Sequence, residues 1–171
     1  MESEGRRREI LKMIEDGRDP ISAAVLAGRM GVSRQIIVGD VALLRAQGNA
    51  IIATSRGYMM SRPVTGRYIG KVACRHGRDA TERELSSVVA LGGEVLDVIV
   101  THRYYGDLTG QLNIASPEDV RHFMDSVGAG REGLLSELTD GVHLHTVACK
   151  DRQTFDAIVA ELKNIGVLFK V

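Results

Sequence analysis

The stretch Gly141-Val142-His143-Leu144-His145 carries two histidines separated by one residue. Alternate residues of a β-strand face the same side, so a strand here would place both imidazoles side by side, with Cα atoms roughly 7 Å apart. Neutral imidazole is a common ligand of zinc, nickel, copper and iron, and a metal site needs at least three protein ligands. Further ligands would have to come from distant parts of the chain, and the first candidates are His76, Glu84 and His102. The alternative is a histidine pair on a solvated face that binds no ion.

The chain has 171 residues and carries no net charge. Residues 1–62 hold 10 Lys and Arg against 7 Asp and Glu, a net +3, whereas the other 109 hold 12 against 15, a net −3. A basic N-terminal part favours nucleic-acid binding. Two cysteines are too few for a disulfide framework and suit a reducing compartment. Since we find no signal-like or membrane-spanning apolar segment, we expect a soluble, cytoplasmic protein.

The first 50 residues have the pattern of three helices. Apolar residues at helical spacing predict a first helix over about residues 5–16, which ends at Gly17-Arg18-Asp19-Pro20. Ser22 can cap a second helix, and Gly31-Val32-Ser33 separates it from a third, predicted over residues 34–47. The apolar positions of the third helix are Ile36, Ile37, Val41, Leu43 and Leu44.

Two short helices joined by a three-residue turn that begins with glycine form a helix-turn-helix, whose second helix enters the DNA major groove. The stretch Leu26-Ala27-Gly28-Arg29-Met30-Gly31-Val32-Ser33-Arg34-Gln35-Ile36-Ile37 resembles the winged helix-turn-helix of many bacterial regulators. Residues 50–53 and 58–60 are predicted wing strands, joined by a hairpin loop over 54–57. We therefore assign residues 1–62 to a winged helix-turn-helix DNA-binding domain, followed by a linker.

Four residues of this domain are candidates for DNA contacts. Arg34 and Gln35 begin the recognition helix, where Arg can pair with guanine and Gln with adenine. Ser33 and the N–H groups beside it could hold a phosphate, and Arg56 on the wing could reach the backbone or the minor groove. The alternative is a three-helix unit that contacts only protein. Gly39 departs from the expected pattern, because glycine inside a helix costs about 1 kcal/mol relative to alanine.

Residues 67–171 alternate predicted strands and helices. The strands are predicted at about residues 67–76, 94–102, 107–114, 142–149 and 167–169. The helices begin near Thr81, after Ser116 and after Asp151. The order β-α-β-β-α-β-α-β predicts an α+β sandwich, with an antiparallel or mixed sheet and helices over one face.

The candidate ligands in this half also have simpler interpretations. His76 lies by parity on the more apolar face of the first strand, and Glu84 follows in the next helix. However, Thr81-Glu82-Arg83-Glu84 fits a capping box, in which Glu84 would bind the N-cap N–H instead. Cys74 and Cys149 share parity with the histidines, and we expect them to be small buried residues, with a thiolate ligand as the alternative.

The whole chain resembles a known family. A winged helix followed by His76, Glu84 eight residues later, Val100-Thr101-His102-Arg103-Tyr104-Tyr105-Gly106 and Val142-His143-Leu144-His145-Thr146 is similar to the three-histidine-domain regulators. Their characterised members are niacin-responsive repressors of NAD biosynthesis and niacin transport genes. The resemblance implies a homodimer that binds operator DNA, with nicotinic acid as co-repressor. It further implies a divalent transition metal, nickel or zinc, at His76, Glu84, His143 and His145, and His102 is a candidate effector contact.

Two other functions are compatible with the same residues. Three histidines and a glutamate could activate water in a metal-dependent hydrolase that carries a DNA-binding domain. We find no convincing general base and no nucleophile-plus-base pattern, so we do not expect an enzyme. The other alternative is a repressor for which the metal ion itself is the signal.

Overall fold

A computed structural model describes residues 3–169, which divide into two compact units between Pro63 and Val64. Within this range, no helix is both long and apolar enough to cross a membrane. Each unit has its own buried core.

The first unit contains the predicted three helices and wing. Its elements are α1 Ser3–Asp16, α2 Ala23–Met30, α3 Arg34–Ala46, β1 Ile51–Thr54 and β2 Gly57–Met60. The helices enclose a core that includes Ile10, Ile14, Leu26, Ile37, Val41, Leu44 and Ile51. The antiparallel β1–β2 hairpin forms the wing, and a backbone bridge from Ile21 to Tyr58 extends it.

The turn between α2 and α3 has the predicted chemistry. Gly31 follows α2 with φ +65°, a left-handed conformation that glycine adopts without steric cost. Ser22 and Ser33 cap α2 and α3, since their hydroxyl oxygens accept the N–H groups of Val25 and Ile36. These caps fix where the recognition helix begins.

The expected apolar face of α3 is only partly correct. Ile36 and Leu43 are 43% and 52% exposed, so they do not belong to the core. Asp40 is buried on the core side instead, where it accepts a 2.6 Å hydrogen bond from Arg6 and lies 3.5 Å from Arg7. Consecutive apolar residues cannot all face inward on a helix, and this ion pair joins α1 to α3.

The second unit is the predicted α+β sandwich. Its strands are β3 Tyr68–Arg75, β4 Glu94–His102, β5 Gly106–Ile114 and β6 Val142–Cys149, and its helices are α4 Thr81–Ala90, α5 Pro117–Ala129 and α6 Arg152–Asn164. Among the described residues, the sheet has the order β3-β6-β4-β5, with every neighbouring pair antiparallel. All three helices share one core with the β3 and β6 side chains Val72, Cys74, Val147 and Cys149.

Two details of the sheet differ from the sequence prediction. The described residues 167–169 form an isolated bridge between Leu168 and Cys74 rather than a closing strand. In β4, which was predicted as a regular strand over residues 94–102, a β-bulge between Val95 and Asp97 interrupts the alternation of side chains, and Val95 is fully buried.

Candidate metal centre and nucleic-acid interface

The structure brings His76, Glu84, His143 and His145 together in the second unit. Nε2 of His76 lies 2.6 Å from Glu84 Oε2, and Nε2 of His143 and of His145 each lie 3.4 Å from a Glu84 carboxylate oxygen. The Glu84 residue is only 1% exposed. Three imidazole nitrogens therefore surround one buried carboxylate, from residues up to 69 positions apart in the sequence.

The strand register explains why these residues meet. Within the β3–β6 pair, Cys74 faces His143 and Val72 faces His145. His76 follows two residues after Cys74, and its N–H donates to the Gly141 carbonyl oxygen. Gly141 has φ +83°, and a Cβ there would lie 2.5 Å from the His76 carbonyl oxygen. Glycine at 141 therefore lets the His76 backbone approach the start of β6.

The capping box predicted for Glu84 does not form. A 3-10 turn, Arg78–Ala80, leads directly into α4, so the N-cap residue is Ala80, whose side chain cannot accept a hydrogen bond. Thr81 is consequently the first residue of the helix and not its cap. Glu84 is left to point at the three imidazoles.

Backbone carbonyl groups orient all three rings. Nδ1 of His76 lies 2.8 Å from the Gly77 carbonyl oxygen, Nδ1 of His143 lies 2.8 Å from that of Gly141, and Nδ1 of His145 lies 2.6 Å from that of Asp97. A carbonyl oxygen only accepts, so each Nδ1 carries the proton. In the neutral rings, each Nε2 lone pair then points towards the same space beside Glu84.

The charges at the centre favour a cation. Burial raises the pKa of Glu84, but hydrogen bonds with His143, His145 and His76 outweigh it and hold the pKa below its usual range. Burial lowers the pKa of His76, but hydrogen bonding to Glu84 and its charge outweigh that and raise the pKa. Oε1 of Glu84 is buried and has no hydrogen-bond partner among the described residues. The set therefore holds a carboxylate that needs positive charge, which protons or a metal ion can supply.

The two cysteines are buried, as predicted, but only Cys74 lies at this centre. Its Sγ atom, a Glu84 oxygen and a His143 nitrogen all lie within 4.8 Å of one another. Burial and then the negative charge of Glu84 raise the pKa of Cys74, so the thiol stays protonated. Cys149 donates instead to the Asp151 carbonyl oxygen.

A small cavity of about 40 Å³ lies beside the four residues. Its remaining wall is mostly apolar and consists of Leu85, Val98, Leu112, Phe123, Leu134, Leu135 and the hydroxyl-bearing Thr81 and Ser136. A mostly apolar wall with a few converging polar groups is typical of small-molecule sites. Sequence reasoning missed this wall, because its residues come from α4, β4, β5, α5 and the segment before β6.

His102 lies away from this cavity. At the end of β4, its ring stacks on Tyr105 with centroids 5.1 Å apart, and its Nδ1 accepts the Tyr104 N–H. His102 does not line the cavity in the described structure. The structure therefore separates His102 from the other three histidines that the sequence singled out.

The candidate DNA contacts lie in the first unit. Ser33, Arg34 and Gln35 are exposed at the start of α3. Arg34 and Arg56 line one open depression of the surface, together with Ser22, Thr54 and Ser55. The first turn of the recognition helix and the wing thus each place one arginine at the same area of the surface.

The class of protein defined by these two units is a DNA-binding regulator, with a helix-turn-helix unit followed by an α+β unit that contains a buried His and Glu centre. Residues 6–59 match the family described as an HTH domain, and residues 69–171 match the 3H domain. The chain is 37% identical over 168 residues to "Transcription repressor NadR" of Bacillus subtilis (strain 168), with 96% of this chain and 93% of NadR covered.

A second relative gives the same result. The chain is 38% identical over 165 residues to "Probable transcription repressor NiaR" of Thermotoga maritima, with 96% of this chain and 94% of NiaR covered. The chain belongs to the 3H-domain family of helix-turn-helix transcription repressors. The family resemblance inferred from the sequence is confirmed, and the chain stands among transcription regulators rather than enzymes.

Proposed function

We propose that this protein is a cytoplasmic repressor of NAD biosynthesis genes that binds operator DNA in response to nicotinic acid. In this proposal a divalent transition metal, nickel or zinc, is held by His76, Glu84, His143 and His145. The observation that carries the proposal is the convergence of three Nε2 atoms on the Glu84 carboxylate, while each Nδ1 faces a carbonyl oxygen.

This donor set suits nickel or zinc. Imidazole nitrogens bind both ions, and a carboxylate adds the negative charge that a divalent ion requires. Metal-binding histidines usually donate their other ring nitrogen to a carbonyl or a carboxylate, which fixes the tautomer and the ring orientation. An ion would also give the buried Oε1 of Glu84 a partner. A bound metal would supply a Lewis-acid position for one end of an effector.

The chemistry of the cavity wall suits nicotinic acid, and the cavity, about 40 Å³ in this structure, would have to widen to admit the ring. An apolar wall can pack against the pyridine ring, and Thr81 and Ser136 offer hydroxyl groups to its polar atoms. The carboxylate or the ring nitrogen would then reach the metal or its edge. We place the effector in this cavity rather than against His102, which lies outside it.

DNA binding in this proposal needs a homodimer. Two recognition helices must match half-sites roughly 34 Å apart, or a multiple of that distance, so a small rotation of the sensor domains changes the affinity strongly. The effector acts by favouring the arrangement that fits the operator. By linkage, DNA then tightens effector binding by the same factor.

The test compares DNA affinity for three forms of the protein: free of metal, with nickel or zinc, and with metal plus nicotinic acid. The DNA probe is a duplex that the protein itself selects from a random library. We expect the third form to bind most tightly. Full affinity with metal alone would instead indicate a metal-responsive repressor, and equal affinity of all three forms would reject the sensing proposal.

Variants test the site itself. Replacing both His143 and His145 by alanine should abolish stoichiometric metal, as measured by elemental analysis, and with it the response to nicotinic acid. The exposed His122 on α5 provides the control, since His122→Ala removes an imidazole that does not belong to the centre. Retention of one metal per chain in the double variant would refute the ligand set.

A further inference from the structure

Gly39 lies inside the recognition helix, where neither its backbone conformation nor any described neighbour requires glycine. Glycine destabilises a helix interior relative to alanine. It is usually found there because the position needs a positive φ or a close contact with a neighbouring element. Gly39 is not among the residues with positive φ, and a Cβ built there meets no atom within 4 Å in the described part of the chain. Among the described residues, neither backbone conformation nor packing therefore accounts for glycine at position 39.

Gly39 also lies on the side of α3 that faces away from the protein. The buried side of the helix is formed by Ile37, Asp40, Val41 and Leu44. At 100° per residue, Gly39 lies nearly opposite their centre, in line with Gln35 one turn before and Ala42 one turn after. All three are exposed. Gln35 is a candidate base contact, so Gly39 occupies the next position along the same DNA-facing side.

We infer that Gly39 determines DNA specificity, because its missing side chain lets the edge of a base pair lie against the α3 backbone in the major groove. A helix sits deeper in the groove where it carries no side chain, which brings its exposed neighbours closer to the bases. Those neighbours include Ile36 and Val38, 43% and 38% exposed, whose apolar groups suit the thymine methyl. The inference rests on the proposed function in one respect, namely that α3 reads DNA.

The experiment uses the full-length, metal-loaded protein with nicotinic acid and a randomised duplex library. The wild-type protein first selects its preferred duplex. That duplex is then titrated with wild type, Gly39→Ala, Gly39→Leu and Gly28→Ala. Gly28 is the matched control, since it is an exposed glycine in the interior of α2 whose added Cβ would also meet no atom within 4 Å.

We expect Gly28→Ala and Gly39→Ala both to raise the melting temperature, because alanine favours a helix more than glycine does. Affinity for the selected duplex should stay within about twofold for Gly28→Ala but fall about tenfold or more for Gly39→Leu, the effect of losing one good base contact. The affinity of Gly39→Ala for this duplex should lie between those of the other two variants. A second selection with Gly39→Leu should change the preferred base at one position of each half-site.

Each negative result of this experiment would lead to a different conclusion. If wild type enriches a sequence but Gly39→Ala and Gly39→Leu bind it as wild type does, the inference about Gly39 is wrong and DNA binding by α3 stands. If the wild-type protein enriches no sequence, either with metal and nicotinic acid or without them, α3 does not read DNA, and the proposed function falls together with the inference. Because Gly39→Ala is expected to be more stable than wild type, loss of affinity in that variant cannot be attributed to unfolding.

Discussion

Nδ1 of His145 lies 2.6 Å from the carbonyl oxygen of Asp97, directly at the β-bulge in β4. The carboxylate of Asp97 accepts the N–H of Thr146, the residue after His145. Asp97 at the bulge therefore contacts both the His145 ring and the backbone of β6. Because the backbone fixes the ring, the direction of the His145 Nε2 atom is set without any ion. This ring is therefore preorganised, which would lower the entropic cost of binding the proposed ion.

The first prediction concerns Glu84, the residue that all three imidazoles face. Glu84→Gln keeps the shape of the side chain but removes its charge, so affinity for nickel or zinc should fall about 100-fold. Competition with a chromophoric chelator measures this change. Glu82 lies on the same helix but is exposed, and Glu82→Gln should leave the affinity unchanged. Equal affinities of the two variants would show that the carboxylate of Glu84 is not a ligand.

The second prediction separates Cys74 from the ligand set. Its thiol lies close to Glu84 and His143, but burial and the Glu84 charge raise its pKa in the metal-free centre, so an ion would have to displace the thiol proton, whereas the neutral imidazoles and the carboxylate offer free electron pairs. We therefore expect the cobalt-substituted protein to show no thiolate-to-metal charge-transfer absorption. Cys74→Ala should keep one metal per chain and the same visible spectrum, as should the control Cys149→Ala. A charge-transfer band that disappears only in Cys74→Ala would instead add sulfur to the set.

Much of this architecture follows from local sequence patterns. Caps at Ser22 and Ser33, a glycine turn and a hairpin decide the first unit, because each depends on neighbouring residues. The burial of Asp40 was not predictable in the same way, since its partner Arg6 lies 34 residues earlier. The bulge in β4 depends likewise on pairing with β5 and β6 rather than on β4 itself.

The candidate site was likewise predictable only where neighbouring residues in the sequence decide the structure. Strand parity predicts that His143 and His145 share a face, and the structure agrees. Whether Glu84 caps its helix or turns to the histidines depends on where the helix begins, and a preceding 3-10 turn moved that start by one residue. Both β3 and β4 pair with the strand that carries the histidine pair, but the β4 pairing ends at Ile99, three residues before His102, whereas the N–H of His76 donates to Gly141 at the start of β6.

The third prediction concerns the start of α6. Asp151 caps this helix, and donation from the backbone N–H and then the hydroxyl of Thr154 lowers the pKa of its carboxyl group. A carboxyl group whose pKa is lowered by folding stabilises the fold fully above its ordinary pKa of about 3.9, and the effect is lost as pH falls through the lower folded value. Asp151→Ala should therefore lower the melting temperature at neutral pH.

The difference between wild type and Asp151→Ala should shrink as the pH is lowered below about 4, because wild type then loses the ionised cap as well. Circular dichroism melts across this range measure it. The exposed Asp125 of α5 supplies a control, and Asp125→Ala should melt close to wild type throughout. A gap between wild type and Asp151→Ala that stays constant down to strongly acidic pH would mean that the ionised cap is not its source.

The fourth prediction distinguishes the two arginines that line the depression between recognition helix and wing. Arg34 begins α3, so Arg34→Ala should relax base preference at one position of each half-site, as measured by repeated selection from a random duplex library. Arg56 lies in the wing turn, so Arg56→Ala should weaken binding to all duplexes alike. It should also reduce the slope of log affinity against log salt by about 1, because one phosphate contact is lost. If instead Arg56→Ala changed the selected sequence and Arg34→Ala changed only the salt slope, the wing would be the element that reads bases, and α3 would serve to hold the backbone.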